Sequence, residues 1–126
     1  MPALHRDRVI RIALWSTVVL NALGVAVFLP MAFGAPSRML PIAVPRFFAA
    51  QMAFTIALFG GVYAWLALQR HINRSVVVVG ALGKLGFFAL TLVYAFAGDI
   101  PRQMAINATP DLVFAGIFLW WARSAV

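Results

Sequence analysis

Three long apolar runs limit what this chain can fold into. They cover residues 12–33, 47–68 and 76–97, and Lys84 is the only charged side chain within them. A helix needs about 20 mainly apolar residues to cross roughly 30 Å of hydrocarbon, because it rises about 1.5 Å per residue. Each run therefore predicts a transmembrane helix, and the chain is expected to be an all-α membrane protein.

A fourth span is predicted over residues 104–122. Its apolar core, residues 112–121, is too short alone, so the span must include the residues that precede it, and Asn107 and Asp111 lie at membrane depth. The run Thr109-Pro110-Asp111 is typical of a helix start, which favours a helix that begins there after a non-helical segment from Arg102. We expect residues 1–126 to form one integral membrane domain, a four-helix bundle.

The composition supports a membrane protein and excludes several other classes. Hydrophobic residues make up 64% of the chain and charged residues 10%, against roughly 25% charged residues in soluble domains. The net charge of +7 comes from arginines that flank the apolar runs, so it does not predict nucleic-acid binding. The chain has no cysteine and no glutamate, and we expect neither a metal site nor a cofactor.

The arginines predict the orientation in the membrane. The N-terminus, the connection at residues 69–75 and the C-terminus lie on one side and hold the larger share. That side has Arg6, Arg8, Arg11, Arg70, Arg74 and Arg123; the other has Arg38, Arg46 and Arg102. The positive-inside rule then predicts that both termini are cytoplasmic. A cleaved signal peptide over residues 1–34 is disfavoured by the length of its apolar run.

The two halves of the sequence resemble each other, as a tandem duplication of a helical hairpin would. Residues 22–24 and 81–83 both read Ala-Leu-Gly. In the second and fourth spans, residues 59–65 (FGGVYAW) align with residues 114–120 (FAGIFLW). A duplicated hairpin predicts a pseudo-two-fold axis along the membrane normal, whereas the alternative is a chance match between apolar segments.

Small residues recur at helical spacing in two spans. They are Ala53, Ala57 and Gly61 in the second span and Gly80, Gly83 and Gly86 in the third. Small side chains let helix backbones approach closely in a bilayer. We expect them to pack helices together within the chain, with a seam between two copies as the alternative.

Three polar side chains are predicted to share one layer of the bundle. Counted from the cytoplasmic ends of their helices, Lys84 lies about 12 Å deep, Asn21 about 13 Å and Asp111 about 16 Å. Charged groups at this depth usually turn towards a partner or a cavity. We expect Lys84 to face Asp111 with Asn21 nearby; Asp111 as a helix cap alone, or Lys84 as a neutral amine, an anion site or a proton relay, are the alternatives.

The second half resembles small four-helix membrane proteins of bacteria. A basic hairpin, residues 69–74 (QRHINR), is followed by residues 80–86 (GALGKLG) and by a last helix that opens on Asp111. This pattern is similar to DoxX-like and related uncharacterised families. The resemblance implies a four-helix bundle in the bacterial inner membrane and brings no established activity with it.

Three functions remain open from the sequence. The leading prediction is a non-enzymatic accessory or assembly protein, or a protein that binds a lipid-like ligand between its helices. The alternatives are a small oligomeric transporter that uses Lys84 and Asp111, and a lipid-modifying enzyme with the same pair as acid and base. Its expected partners are the bilayer, a lipid-like ligand, and further copies of the chain or a larger membrane complex.

Overall fold

The computed structural model describes residues 2–36, 40 and 42–124, and the regular structure of these residues is entirely helical. The helices are α1 (Pro2–Ala32), α2 (Arg46–Leu68), α3 (Arg74–Phe96), α4 (Arg102–Asn107) and α5 (Thr109–Ser124). Four stretches are long and apolar enough to cross a membrane: α1, α2, α3, and α4 together with α5. The predicted all-α class is confirmed for the described residues, and four helical stretches have the length and apolarity of the predicted spans, while Arg38 lies outside the described residues.

The fourth span is a broken helix, and the expected non-helical segment after Arg102 is wrong. Residues from Arg102 to Asn107 are helical, and the break falls at Ala108. Pro110 explains the break, because it has no N–H and its ring clashes with the carbonyl one turn earlier. Thr109, the N-cap residue of the predicted helix start, is instead the first residue of α5, and its hydroxyl donates to the Ala105 carbonyl at 3.5 Å.

Glycine ends two of the long helices on the same side of the bundle. Gly34 follows α1 with φ of +90°, and Gly98 follows α3 with φ of +84°. Both values lie in the left-handed region that glycine adopts without a steric cost. Beyond Gly98, the Asp99 N–H donates back to the Tyr94 carbonyl at 3.0 Å and closes the last turn of α3.

The chain forms two hairpins, one of α1 and α2 and the other of α3 with α4 and α5. Within each hairpin the helices pack along each other, whereas the core that the hairpins share lies towards the end that holds both termini, which we call the termini end. All four spans contribute to the apolar core at that end. Its buried residues are Ile10, Ala13, Leu14, Tyr63, Leu66, Ala67, Val77, Ala81, Phe118, Trp121 and Ala122. The opposite end holds the C-terminal ends of α1 and α3 and the connection at residues 97–101.

Polar contacts tie the N-terminal turns of α1 to the rest of the termini end. The Arg11 guanidinium donates to the carbonyls of Ala67 at 2.7 Å and Arg70 at 3.1 Å. The Trp121 indole N–H donates to the Asp7 carboxylate at 3.1 Å. The Arg11 bonds satisfy carbonyls at the end of α2, and the Trp121 bond joins α1 to α5 in the other hairpin.

The predicted small-residue packing holds at some positions and not at others. Ala53 and Gly80 are buried, and a Cβ at Gly80 would lie 2.9 Å from the Tyr63 ring. A Cβ at Gly61, Gly83 or Gly86 would meet nothing within 4 Å, and Ala57 is exposed. The expectation of packing within the chain is therefore wrong for Ala57, Gly61, Gly83 and Gly86, because these residues face outward.

The two hairpins bury equivalent positions. Residues 53–68 and 108–123 show the same order of buried, half-buried and exposed positions, and so do residues 10–19 and 77–86. The register of the second pair differs from the predicted one, in which Ala22 matches Ala81, since Ala22 is exposed and Ala81 buried. In the observed register, Thr17 occupies the place of Lys84, and Ile56 that of Asp111.

Candidate functional site

The candidate site is built around an ion pair between α3 and α5. The Lys84 ammonium donates to Asp111 Oδ1 at 2.8 Å. The Lys84 side chain is 5% exposed and that of Asp111 17%. Lys84 lies one turn after the buried small residues Gly80 and Ala81 of α3, and Asp111 lies in the first turn of α5. The pair therefore joins the two long helices of the second hairpin at membrane depth.

Aromatic rings cover the amine side of the pair. Lys84 Nζ lies 5.2 Å from the centroid of Tyr63 and 5.9 Å from that of Phe114. Gly80 makes room for the Tyr63 ring, which also lies 5.8 Å from the ring of Phe118. Cation–π contacts of this kind stabilise a desolvated ammonium by about 0.5–2 kcal/mol. The carboxylate and the two rings thus surround the amine, and only 5% of the Lys84 side chain is exposed.

Tyr63 is the residue of the site that the sequence reasoning missed. It belongs to α2, in the other hairpin, and only 3% of it is exposed. Its contacts with Lys84 and Phe118 link the hairpins beside the ion pair. The sequence feature that could have identified Tyr63 is its place inside an apolar run, because tyrosine in membrane helices usually lies near the interface rather than in the interior.

The sequence predicts Asn21 near the ion pair, and the structure shows its hydrogen bond with α2. Its Nδ2 donates to the Ile56 carbonyl at 2.9 Å, within the first hairpin. Its Cβ lies 3.3 Å from the place where a Cβ at Gly60 would stand. Asn21 therefore stabilises the contact between α1 and α2, and the structure assigns it no hydrogen bond with Lys84 or Asp111.

Burial falls along the inner face of the fourth span from the termini end to the opposite end. On this face Phe118 is fully buried and Asp111 is 17% exposed, while Asn107, one turn further, is exposed. The residues that point towards lipid, such as Val113 and Trp120, lie on the other side of the helix. Among the described residues, α4 packs against α3 and α5 and not against the first hairpin, so the hairpins are apart beyond the ion pair.

The same gradient appears on α2. Leu66 is fully buried, Phe59 is half-buried, and Phe48 on the same face is 56% exposed. A groove of about 450 Å³ opens along this exposed part, lined by Phe48, Gln51, Met52, Phe54 and Thr55. Two helices from different hairpins therefore show that the space between the hairpins widens towards the opposite end.

We call this space the inter-hairpin cleft. Its groove is lined by residues of α2, the exposed Gln103 and Asn107 of α4 lie on the corresponding face of the other hairpin, and the ion pair lies where the buried part of α5 begins. On the α4 wall, Gln103 Nε2 donates to Asn107 Oδ1 at 2.9 Å. Gln103, Asn107 and Asp111 follow one another at intervals of one helical turn. The cleft thus has one mostly apolar wall and one wall with a polar line that ends at the ion pair.

The chemistry available in the cleft is hydrogen bonding and charge pairing. The described residues contain no group of three histidine, cysteine, aspartate or glutamate side chains that could hold a metal ion. Asp111 Oδ1 accepts from Lys84, and Asp111 Oδ2 has no hydrogen-bond partner among the described residues. Because every fully buried side-chain polar atom in this part of the chain has a partner, Oδ2 is not fully buried.

Comparison of the chain with protein families, with curated proteins and with solved structures finds no match.

Proposed function

We propose that this protein is a non-enzymatic membrane protein that binds a lipid-like molecule in the inter-hairpin cleft. The observation that carries the proposal is the ion pair of Lys84 and Asp111 at the closed end of a cleft that is otherwise open. Charged side chains at membrane depth are costly and usually serve a cavity or a pathway. Here the pair gives the cleft a polar end to which the headgroup of an amphiphile can bind.

The ion pair is not needed to hold a hairpin of this kind together. The equivalent positions of the first hairpin carry Thr17 and Ile56, and the Thr17 hydroxyl donates to the Ala13 carbonyl of its own helix at 2.7 Å. The first hairpin therefore packs with the same pattern of burial and without charges at this level. This comparison supports a role for Lys84 and Asp111 beyond packing.

The two walls of the cleft fit an amphiphile. Phe48 and Met52 offer apolar surface on α2, and the equivalent positions on α4 are Gln103 and Asn107. Lipid chains gain about 0.8 kcal/mol for each methylene that leaves water, but they gain little on moving from bilayer to an apolar groove. Selective binding must therefore come from the polar wall, which recognises the headgroup.

The orientation and the location belong to the same proposal. The excess of arginine at the termini end supports cytoplasmic termini, so the cleft opens towards the outer leaflet. The similarity to small four-helix families supports the inner membrane of a bacterium. The matched burial of residues 53–68 and 108–123 supports an origin by duplication of a hairpin, although the first helices align in a different register from residues 22–24 and 81–83.

Filling the cleft tests the proposal. Thr55→Trp places an indole in the groove on α2, whereas Ala57→Trp adds the same side chain to the outward face of the same helix. We expect native mass spectrometry from mild detergent to show a bound lipid on the wild type and on the Ala57 variant. The Thr55 variant should lose at least about nine-tenths of the lipid, because a tryptophan fills the space that the lipid chain would occupy.

Two results would overturn the proposal. Equal lipid occupancy in both variants would place the ligand outside the cleft. Turnover of an added lipid, or coupled flux into liposomes that Thr55→Trp abolishes, would replace binding by catalysis or transport in the same cleft.

A further inference from the structure

We infer that the ligand carries a hydrogen-bond-donating ammonium headgroup, which binds Asp111 Oδ2 and enters from the opposite end of the bundle. The inference rests on the proposed function, since it names the class of molecule that the cleft selects. It follows from which member of the ion pair the cleft can reach. That member is the carboxylate, which binds a cationic group. The positive net charge of the chain would instead suggest an anionic ligand.

The lysine is unavailable to a ligand. Only 5% of the Lys84 side chain is exposed, its ammonium already donates to Asp111 at 2.8 Å, and the rings of Tyr63 and Phe114 cover it. An anionic headgroup would have to displace the Asp111 carboxylate to reach it. Such a headgroup would then leave Asp111 without a partner at membrane depth, which is costly.

The carboxylate is available. Asp111 is 17% exposed, and its Oδ2 makes no hydrogen bond with the described residues. A carboxylate oxygen is an acceptor only, so it selects a group that donates. A donor that is also positively charged makes the stronger bond, because hydrogen bonds between two charged groups are shorter and more stable than neutral ones.

The polar line on α4 leads to that oxygen. Asn107 lies one turn from Asp111 towards the opposite end, and Gln103 lies one turn further. Their mutual bond uses Gln103 Nε2 and Asn107 Oδ1, which leaves Gln103 Oε1 as a second acceptor along the route. An ammonium group can therefore pass from the membrane surface to Asp111 along acceptors on one wall, while its chains lie against Phe48 and Met52.

The test compares three phospholipids with identical acyl chains at equal amounts in mixed micelles. Phosphatidylethanolamine carries N–H donors, phosphatidylcholine keeps the positive charge without them, and phosphatidylglycerol is anionic. We expect native mass spectrometry to show phosphatidylethanolamine bound at least about tenfold over either competitor, as one hydrogen bond to a charged group predicts. The preference should vanish in Asp111→Asn, which keeps the shape of the side chain and removes its charge.

A second variant keeps the test valid if Asp111→Asn fails to fold. Asn107→Leu leaves the ion pair intact and interrupts the polar line, so it should lower the preference several-fold. Val113→Leu, on the lipid-facing side of α5, is the matched control and should keep the wild-type preference. Equal binding of all three lipids, or a preference for phosphatidylglycerol, would refute the inference.

The outcomes separate the inference from the proposed function. If Thr55→Trp removes bound lipid but no headgroup is preferred, the cleft binds lipid and the role of Asp111 is wrong. If Thr55→Trp has no effect on any of the three lipids, the cleft itself is not the binding site.

Discussion

Removing either member of the ion pair should destabilise the protein, and removing both should restore much of the loss. Lys84→Met and Asp111→Leu each replace a charged side chain by an apolar one of similar length or volume. Each single change leaves the other charge in a region of low dielectric without its partner at 2.8 Å. The double change leaves apolar groups on both helices, which can be nearly neutral for a buried pair.

The burial of the two side chains sets the order of the effects. Breaking a buried pair costs about 3–5 kcal/mol. Asp111→Leu should lie near the upper value, because the Lys84 side chain is 5% exposed and its ammonium is shut in by two rings. Lys84→Met should lie near the lower value, because Asp111 is 17% exposed and can draw water from the cleft. Cation–π contacts stabilise the unpaired Lys84 ammonium by about 1 kcal/mol. This is too little to make Asp111→Leu the milder of the two changes.

The measurement is a double-mutant cycle on the free energy of unfolding. SDS titration in mixed micelles, followed by circular dichroism, gives that quantity for all four proteins. The coupling energy should be about 2 kcal/mol or more, within the range for residues in direct contact. Leu82→Met, at an exposed position of α3, is the control and should change stability little. Additive losses in the double variant would show that the two charges do not stabilise each other.

Two further predictions concern topology and packing. A cysteine in place of Ser75 should resist impermeant thiol reagents in intact cells, while one in place of Ser37 should react; the reverse pattern would invert the orientation. Gly80→Leu should destabilise the bundle by about 1–3 kcal/mol through overpacking, because a Cβ there already lies 2.9 Å from Tyr63. Gly83→Leu, which meets nothing within 4 Å, should not destabilise it, and equal losses would refute the packing argument.

Most of the fold could be predicted from the sequence, because membrane spans are set by length and apolarity. The helix bounds differ from the predicted spans chiefly where charged residues extend a helix beyond the hydrocarbon, as at the N-terminal turns of α1, which begins at Pro2. Helical spacing alone could not separate inward from outward small residues. Gly80 packs against Tyr63 and Gly83 packs against nothing within the chain, although both lie in the same run.

Depth along the helix explains why the pairing of Lys84 and Asp111 could be predicted while the cleft could not. The depth of a residue follows from its position along the helix, and two opposite charges at one level of a small bundle attract each other.

The width of the space between the hairpins depends instead on where large side chains interlock. Tyr63 and Phe118 bring the hairpins together beside Lys84. Beyond that level, the buried residues are mostly small, among them Ala53, Ala95 and Ala108, and each packs its own hairpin. A small residue brings two helices close but extends no side chain to a third, so the cleft opens where the aromatic contacts end. Enlarging one inner wall at that level, as Thr55→Trp does, should therefore reduce lipid binding without entering the core.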